Sequence, residues 1–238
     1  MLEVSRSLNA ITNQRRTTMK DAPSRLLAEF LGVFFLCLFG IGAIVNVDKT
    51  GLVGIALAHG LAIFVSICAF AHISGAHFNP AVTTALAATK RIAPLEALAY
   101  IVAQLLGGAA AAAIASYAYG SAWATGVPAL GAGIDDTKGI VIEAIATFAL
   151  MIVIMGVAVD SRGTFAAVAG LPIGLVIVAD IMWSGPLTRA AMNPARWFGP
   201  ALVNGDLGHA IVWIVGPILG ALVAALAYDT IMKPAKTA

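Results

Sequence analysis

Apolar residues run through this chain in six windows, near 25–46, 52–72, 94–118, 139–159, 165–184 and 209–229. About twenty such residues, wound as an α-helix, cross the roughly 30 Å hydrocarbon core of a bilayer. Pro94 announces the third window and Lys233-Pro234 closes the last. Two further stretches, 72–89 and 185–203, are too apolar for ordinary loops and too short to cross. Each carries the tripeptide Asn-Pro-Ala, at Asn79-Pro80-Ala81 and at Asn193-Pro194-Ala195. Asn is a favoured helix cap, and Pro suits the first helical position because its missing N–H would have had no partner. A helix from Pro80 to Ala88 rises about 14 Å, half of the core. The pattern therefore predicts an all-α membrane protein of six transmembrane helices plus two re-entrant half-helices.

The two tripeptides belong to a repeat. Glu29 precedes Asn79 by 50 residues and Glu143 precedes Asn193 by the same 50, so the halves are offset by 114. At that offset Phe34 falls on Phe148, Leu36 on Leu150, Gly42 on Gly156, Gly60 on Gly174 and Leu61 on Leu175. Each copy holds three full spans and one half-span, and three is odd. The second copy must therefore enter the membrane inverted relative to the first. The expected organisation is a tail over 1–22, a first inverted repeat over 23–120, a connecting loop over 121–138, a second repeat over 139–230 and a tail over 231–238.

Charge orients this arrangement. The polar, basic residues 1–22 lack an apolar core and read as a tail rather than a signal peptide; Met19 is an alternative start to Met1. That tail, Lys90-Arg91, Arg162, Lys233 and Lys236 fall on one side, leaving Lys49 and Lys138 in the opposite loops. Positive residues favour the cytoplasm, which puts both termini inside, the Pro80 half-helix entering from the cytoplasm and the Pro194 half-helix from outside. A cell (plasma or inner) membrane is the expected location. Composition agrees with a membrane protein: 60% of residues are hydrophobic, 11% are charged, and mean hydropathy is +0.93. Soluble domains carry about 25% charged residues. The basic residues sit at span ends, so the net charge of +2 gives no reason to expect nucleic acid as a partner. Cys37 and Cys68 lie inside apolar windows and read as buried hydrophobes.

Two half-helices entering from opposite faces meet N-terminus to N-terminus near the midplane. Non-helical backbone at that depth is tolerated only where it is buried in protein or lines a watery cavity. Each N-terminus offers free N–H donors and a partial positive charge, and the cap amides of Asn79 and Asn193 can add donors to the lumen. Such a path passes a neutral hydrogen-bonding solute and opposes cations and protons. Arg196 lies three residues after Asn193, nearly one helical turn, and can face the same lumen; a charge at that depth needs water or a partner. Glu29 and Glu143 have the same need. Their matched positions suggest that each accepts backbone N–H bonds from its own re-entrant loop, a better reading than a proton relay.

These residues resemble the major intrinsic protein family, the aquaporins and glycerol facilitators. The likeness covers Ala28 to Tyr228 and rests on Ala28-Glu29-Phe30, on the run from His72 to Thr83 and on Met192-Asn193-Pro194-Ala195-Arg196. It implies an hourglass with one pore per subunit and a homotetramer. It also implies a selectivity ring of Arg196 with His59, Ile181 and Ala190, a set similar to the plant vacuolar-membrane branch. Ile181 removes a polar wall and widens the ring. Glycerol facilitators tend to follow the Arg with Asp and to place a basic residue four positions later, where this chain has Trp197 and Ala201. Ile214 stands where water channels often carry Trp. Water is the expected permeant; ammonia, urea and glycerol remain open beside it, as does a glycerol or small-polyol facilitator.

Asp180 and Arg189 depart from the family pattern and are expected to pair and brace the loop carrying Ala190. Protonation of His59 beside Arg196 is expected to change flux in mild acid. His72 and His77 read as loop-packing groups; four His without metal-ligand spacing predict no metal, and nothing predicts a cofactor. An enzyme would need a nucleophile–base pair or metal cluster that the sequence does not offer. A secondary transporter also uses inverted repeats but needs coupling carboxylates in its pathway, for which Asp180 is the sole candidate.

Overall fold

The structure, a computed structural model, describes residues 21–232. Most of the expected N-terminal tail, Met19, and the final stretch from Lys233 lie outside the described residues. The helices are α1 (Ala22–Val45), α2 (Val47–Ser74), α3 (Pro80–Ala88), α4 (Pro94–Tyr119), α5 (Asp136–Ile154), α6 (Gly170–Thr188), α7 (Pro194–Asn204) and α8 (Ala210–Ala227). Short 3₁₀ segments cover Gly120–Gly126 and Ala166–Val168, and single π-helical turns extend α5 through Met155–Val159 and α8 through Tyr228–Met232. All but α3 and α7 are long and apolar enough to cross a membrane.

Local sequence explains the boundaries. Pro94 opens α4 as expected. Gly51 takes φ 63°, ψ −176° and separates a first turn from the α2 span proper, which is why that span reads from residue 52. The fifth window stops at Ser184, yet α6 continues through Pro186 to Thr188. The nine residues of α3 and eleven of α7 are each opened by an Asn cap and a Pro at the first position.

In the first half α1 packs on α2 and α4; in the second α5 packs on α6 and α8. The halves join along α2–α6 and α4–α7. Gly60 and Gly174, 114 residues apart, meet each other. A Cβ added to Gly60 falls 2.5 Å from the Gly174 carbonyl oxygen, and one added to Gly174 falls 2.6 Å from that of Gly60. Equivalent residues touch only on the two-fold axis that relates the halves, so this contact marks it. Small residues permit that approach between apolar helices.

The two ends of the bundle differ. At one, Arg25 pairs with Glu96, and Arg91 binds Asp229 through two 2.7 Å bonds. Arg162 binds Asp160 and also donates to the Met232 carbonyl at 3.2 Å. Arg25, Arg91 and Arg162 thus gather at a basic end. The Arg162 guanidinium, aided by the Arg162 backbone N–H, holds the Asp160 carboxyl well below the usual carboxylate range. At the opposite end His209 pairs with Asp136.

Candidate functional site

The re-entrant loops force the backbone into an unusual path. Gly75, Ala76 and Phe78 have φ of 87°, 54° and 49°; Arg189, Ala190 and Met192, each 114 residues later, have 63°, 45° and 52°. A non-Gly residue in this left-handed region costs roughly 1–2 kcal/mol. The strain persists because the amides it exposes are captured by a buried carboxylate. Glu29 accepts from Ser74 Oγ (2.7 Å), His77 N (3.0 Å), Phe78 N (2.7 Å) and Gln104 Nε2 (2.7 Å). Glu143 accepts from Thr188 Oγ1 (2.6 Å), Ala191 N (2.9 Å) and Met192 N (2.6 Å). Both carboxylates are fully buried. Each carboxylate thus accepts two backbone N–H groups of the re-entrant loop in its own half.

Beyond the loops the half-helices meet. Asn79 Oδ1 caps the Ala81 amide at 2.9 Å, and Asn193 Oδ1 caps Ala195 at 2.9 Å and Arg196 at 3.3 Å. The Nδ2 groups cross over: Asn79 donates to the Met192 carbonyl at 2.7 Å and Asn193 to the Phe78 carbonyl at 2.8 Å. This exchange ties the halves together. It uses one hydrogen of each amide and leaves the second for the lumen.

A cavity of about 360 Å³ runs past both Asn side chains. Its walls obey the two-fold: Leu36 and Leu150, Ile63 and Ile177, Ala76 and Ala190 are equivalent pairs that all line it. On the Arg196 side, His59, Ile181, Ala190 and Arg196 line this one cavity, so the structure brings the four expected ring positions together. Their equivalents nearer the basic end are Ile173, Ile67, Ala76 and Val82, all apolar.

Within the ring, Arg196 Nη2 lies 3.0 Å from His59 Nε2. A guanidinium only donates, so Nε2 accepts, and the ring proton sits on Nδ1, which donates to the Ile55 carbonyl at 2.8 Å. Arg196 Nε and Nη1 have no protein partner although the residue is 4% exposed. The Arg196 side chain itself lines the cavity. The expectation that His59 takes up a proton beside Arg196 meets a geometric obstacle, because the accepting nitrogen is already engaged.

Asp180 and Arg189 do not pair. Asp180 Oδ1 accepts from Trp183 Nε1 at 3.1 Å on its own helix, and its Oδ2 is buried without a partner. Arg189 is exposed at the left-handed end of α6, where its backbone turns the side chain outward. His77 does pack in its loop, 3.2 Å from Thr83 Oγ1 and edge-on to Tyr100, whereas His72 is exposed. Among the described residues no His, Cys, Asp or Glu cluster could hold a metal ion.

Several supporting residues escaped sequence reasoning. Gly40 lies behind His59: a Cβ there would fall 2.3 Å from Nε2. Tyr100 donates to the Ser74 carbonyl at 2.9 Å, and Trp213 Nε1 to the Thr188 carbonyl at 3.1 Å. Ser74 and Thr188, whose hydroxyls bond Glu29 and Glu143, also escaped sequence reasoning, although the 114-residue offset matches them to each other.

Comparison with known proteins gives a consistent result. The profile of the family described as major intrinsic protein matches residues 16–228. The chain is 41% identical to aquaporin NIP1-1 of Zea mays over 211 residues, covering 87% of this chain and 74% of that protein. It is 39% identical to aquaporin TIP2-1 of Arabidopsis thaliana over 216 residues, covering 86% of each. Among solved structures, the aquaglyceroporin from Plasmodium falciparum superposes with a TM-score of 0.79 at 28% identity, covering 90% of this chain and 98% of that one.

Proposed function

The chain belongs to the major intrinsic protein family, and from that premise we propose that it is a passive channel conducting water in single file while excluding ions and protons. One observation carries this reading: a single cavity passes both half-helix caps and reaches a ring that holds the Arg196 guanidinium, whose Nε and Nη1 have no protein partner. Water entering the ring exchanges lost hydration for Arg196 Nε–H and Nη1–H. Near the midplane the second N–H of each Asn amide, backed by two half-helix N-termini, orients the water oxygen toward the centre. A proton or cation meets the same donors and the positive ends of α3 and α7, which oppose it. The protein carries out no covalent chemistry and needs no cofactor.

Ile181 and Ala190 leave two ring walls apolar, and Ala190 adds little bulk, which favours ammonia, urea or glycerol as additional permeants. Relatives called aquaporins agree with water as permeant, and a neighbour called an aquaglyceroporin agrees with glycerol beside it. The chain functions as a homotetramer in a cell membrane, with the basic end and both termini cytoplasmic. Stopped-flow light scattering on proteoliposomes tests the assignment against empty vesicles. Fast water flux with slow glycerol flux is expected; glycerol flux matching that of water reassigns the protein as a polyol facilitator.

A further inference from the structure

Trp197 follows Arg196 and has no place in the mechanism above, yet it is 2% exposed and stacks on Trp213 with centroids 5.8 Å apart and planes 11° apart. Trp213 donates through Nε1 to the Thr188 carbonyl, and the Thr188 hydroxyl bonds Glu143 and accepts the Ala190 amide at 3.3 Å. Trp197 also shares an apolar cluster with Ala191 and Trp213. Packing and hydrogen bonds thus run without a break from the residue beside Arg196 to Ala190 on another wall of the ring.

The other half shows what this space holds by default. The equivalents of Ala191 and Trp197 are His77 and Thr83, large then small instead of small then large. His77 and Thr83 bond each other, and Thr83 also accepts from Gln104 at 3.0 Å. A polar cluster fills the space behind the first loop; an indole stack fills it behind the second. We infer that Trp197 is a positioning residue: through Trp213 it holds the Thr188–Met192 segment against the lumen and so sets the width of the ring. The effect on width rests on the channel reading of the previous subsection; the hold on the segment does not.

The test uses the full chain and three variants, Trp197→Thr, Trp197→Phe and Trp213→Phe, with two readouts. In proteoliposomes, Trp197→Thr is expected to raise the glycerol-to-water permeability ratio about tenfold, the low end of what one methylene of fit is worth in a discriminating site. Trp197→Phe, which keeps an aromatic stack, stays within about twofold of the unaltered chain on the same scale. In amide hydrogen exchange, Trp197→Thr and Trp213→Phe both speed exchange of the 188–192 segment about fivefold, the worth of one hydrogen bond. The 74–78 segment does not change. Folded Trp197→Thr with an unchanged ratio overturns the inference, and so does equal acceleration of both segments. Should Trp197→Thr fail to fold, Trp197→Leu, which keeps apolar bulk without the indole stack, takes its place with the same two expected results and the same two overturning ones. An unaltered chain that passes no water faster than empty vesicles defeats the channel reading instead, and exchange alone then judges the hold of Trp197.

Discussion

The two re-entrant loops share a backbone and differ in what surrounds it. Positive φ recurs at equivalent residues, a buried Glu captures equivalent amides, and an aromatic donor caps equivalent carbonyls. The linings then diverge. Ile173, Ile67 and Val82 face the lumen toward the basic end, while His59, Ile181 and Arg196 occupy the same places toward the other. The lesson is a division of labour. Backbone strain and its carboxylate support are common to both halves because both loops must be built at midplane depth. The two ends differ by two side chains, His59 in place of Ile173 and Arg196 in place of Val82, and we propose that discrimination lies there.

The largest effect should come from the shared machinery. Glu29→Ala or Glu143→Ala leaves at least three buried donors unpaired, each costing about 1–3 kcal/mol. Neither variant is expected to yield monodisperse protein on size exclusion; full yield and melting temperature from either would break the claim that the carboxylates hold the loops. The Gln variants sharpen it. Gln104 Oε1 has no partner, so its amide can turn to accept from Gln at position 29. Among the described residues Glu143 accepts from no such reversible amide. Glu143→Gln should therefore lower the melting temperature more than Glu29→Gln, by the equivalent of about 1 kcal/mol.

Next in size is the ring itself. Arg196→Val gives that position the residue of its counterpart, Val82. The glycerol-to-water ratio should rise at least about tenfold, whereas Val82→Ala at the basic end should leave it unchanged. Equal responses would erase the distinction between the ends. Gly40→Ala should act more weakly. It drives a methyl into His59, displaces the ring from Arg196 and alters the ratio by about fivefold, the worth of one hydrogen bond. An unchanged ratio in folded protein would show that the His59–Arg196 bond does not set the ring.

Much of this was legible in the sequence. The Asn-Pro-Ala repeats, the paired Glu residues and the glycines at 60 and 174 declared themselves through one offset, because duplicated backbone geometry demands the same residue types twice. The ring residues came from family likeness, since neither Ile181 nor Ala190 carries chemistry of its own. Opposite charge misled for Asp180 and Arg189: one is buried and bonded to its own helix, while the other turns outward at a left-handed position. Gly40, Tyr100 and Trp213 were silent because a glycine or aromatic in an apolar helix has no periodicity that separates support from ordinary packing.

The smallest effect concerns pH. The folded-state pKa of Asp160 is depressed by Arg162, so its contribution to stability is present above the unfolded carboxylate value of about 3.9 and is lost only as pH falls through the lower folded value. Between about pH 8 and 5 this clasp should not change, and with His59 Nε2 engaged by Arg196, water flux should also be flat there. A twofold change in flux over that range, about the reference His value of about 6.5, would restore the sequence-based expectation of a proton-sensitive ring.

In the proposed channel one path admits water and refuses protons. Water permeability by light scattering and proton flux by an entrapped pH dye, read on the same proteoliposomes, test it together. Water flux well above that of empty vesicles, with proton flux no greater than theirs, is expected. Proton flux rising in step with water, or water flux no faster than bare lipid, would contradict it.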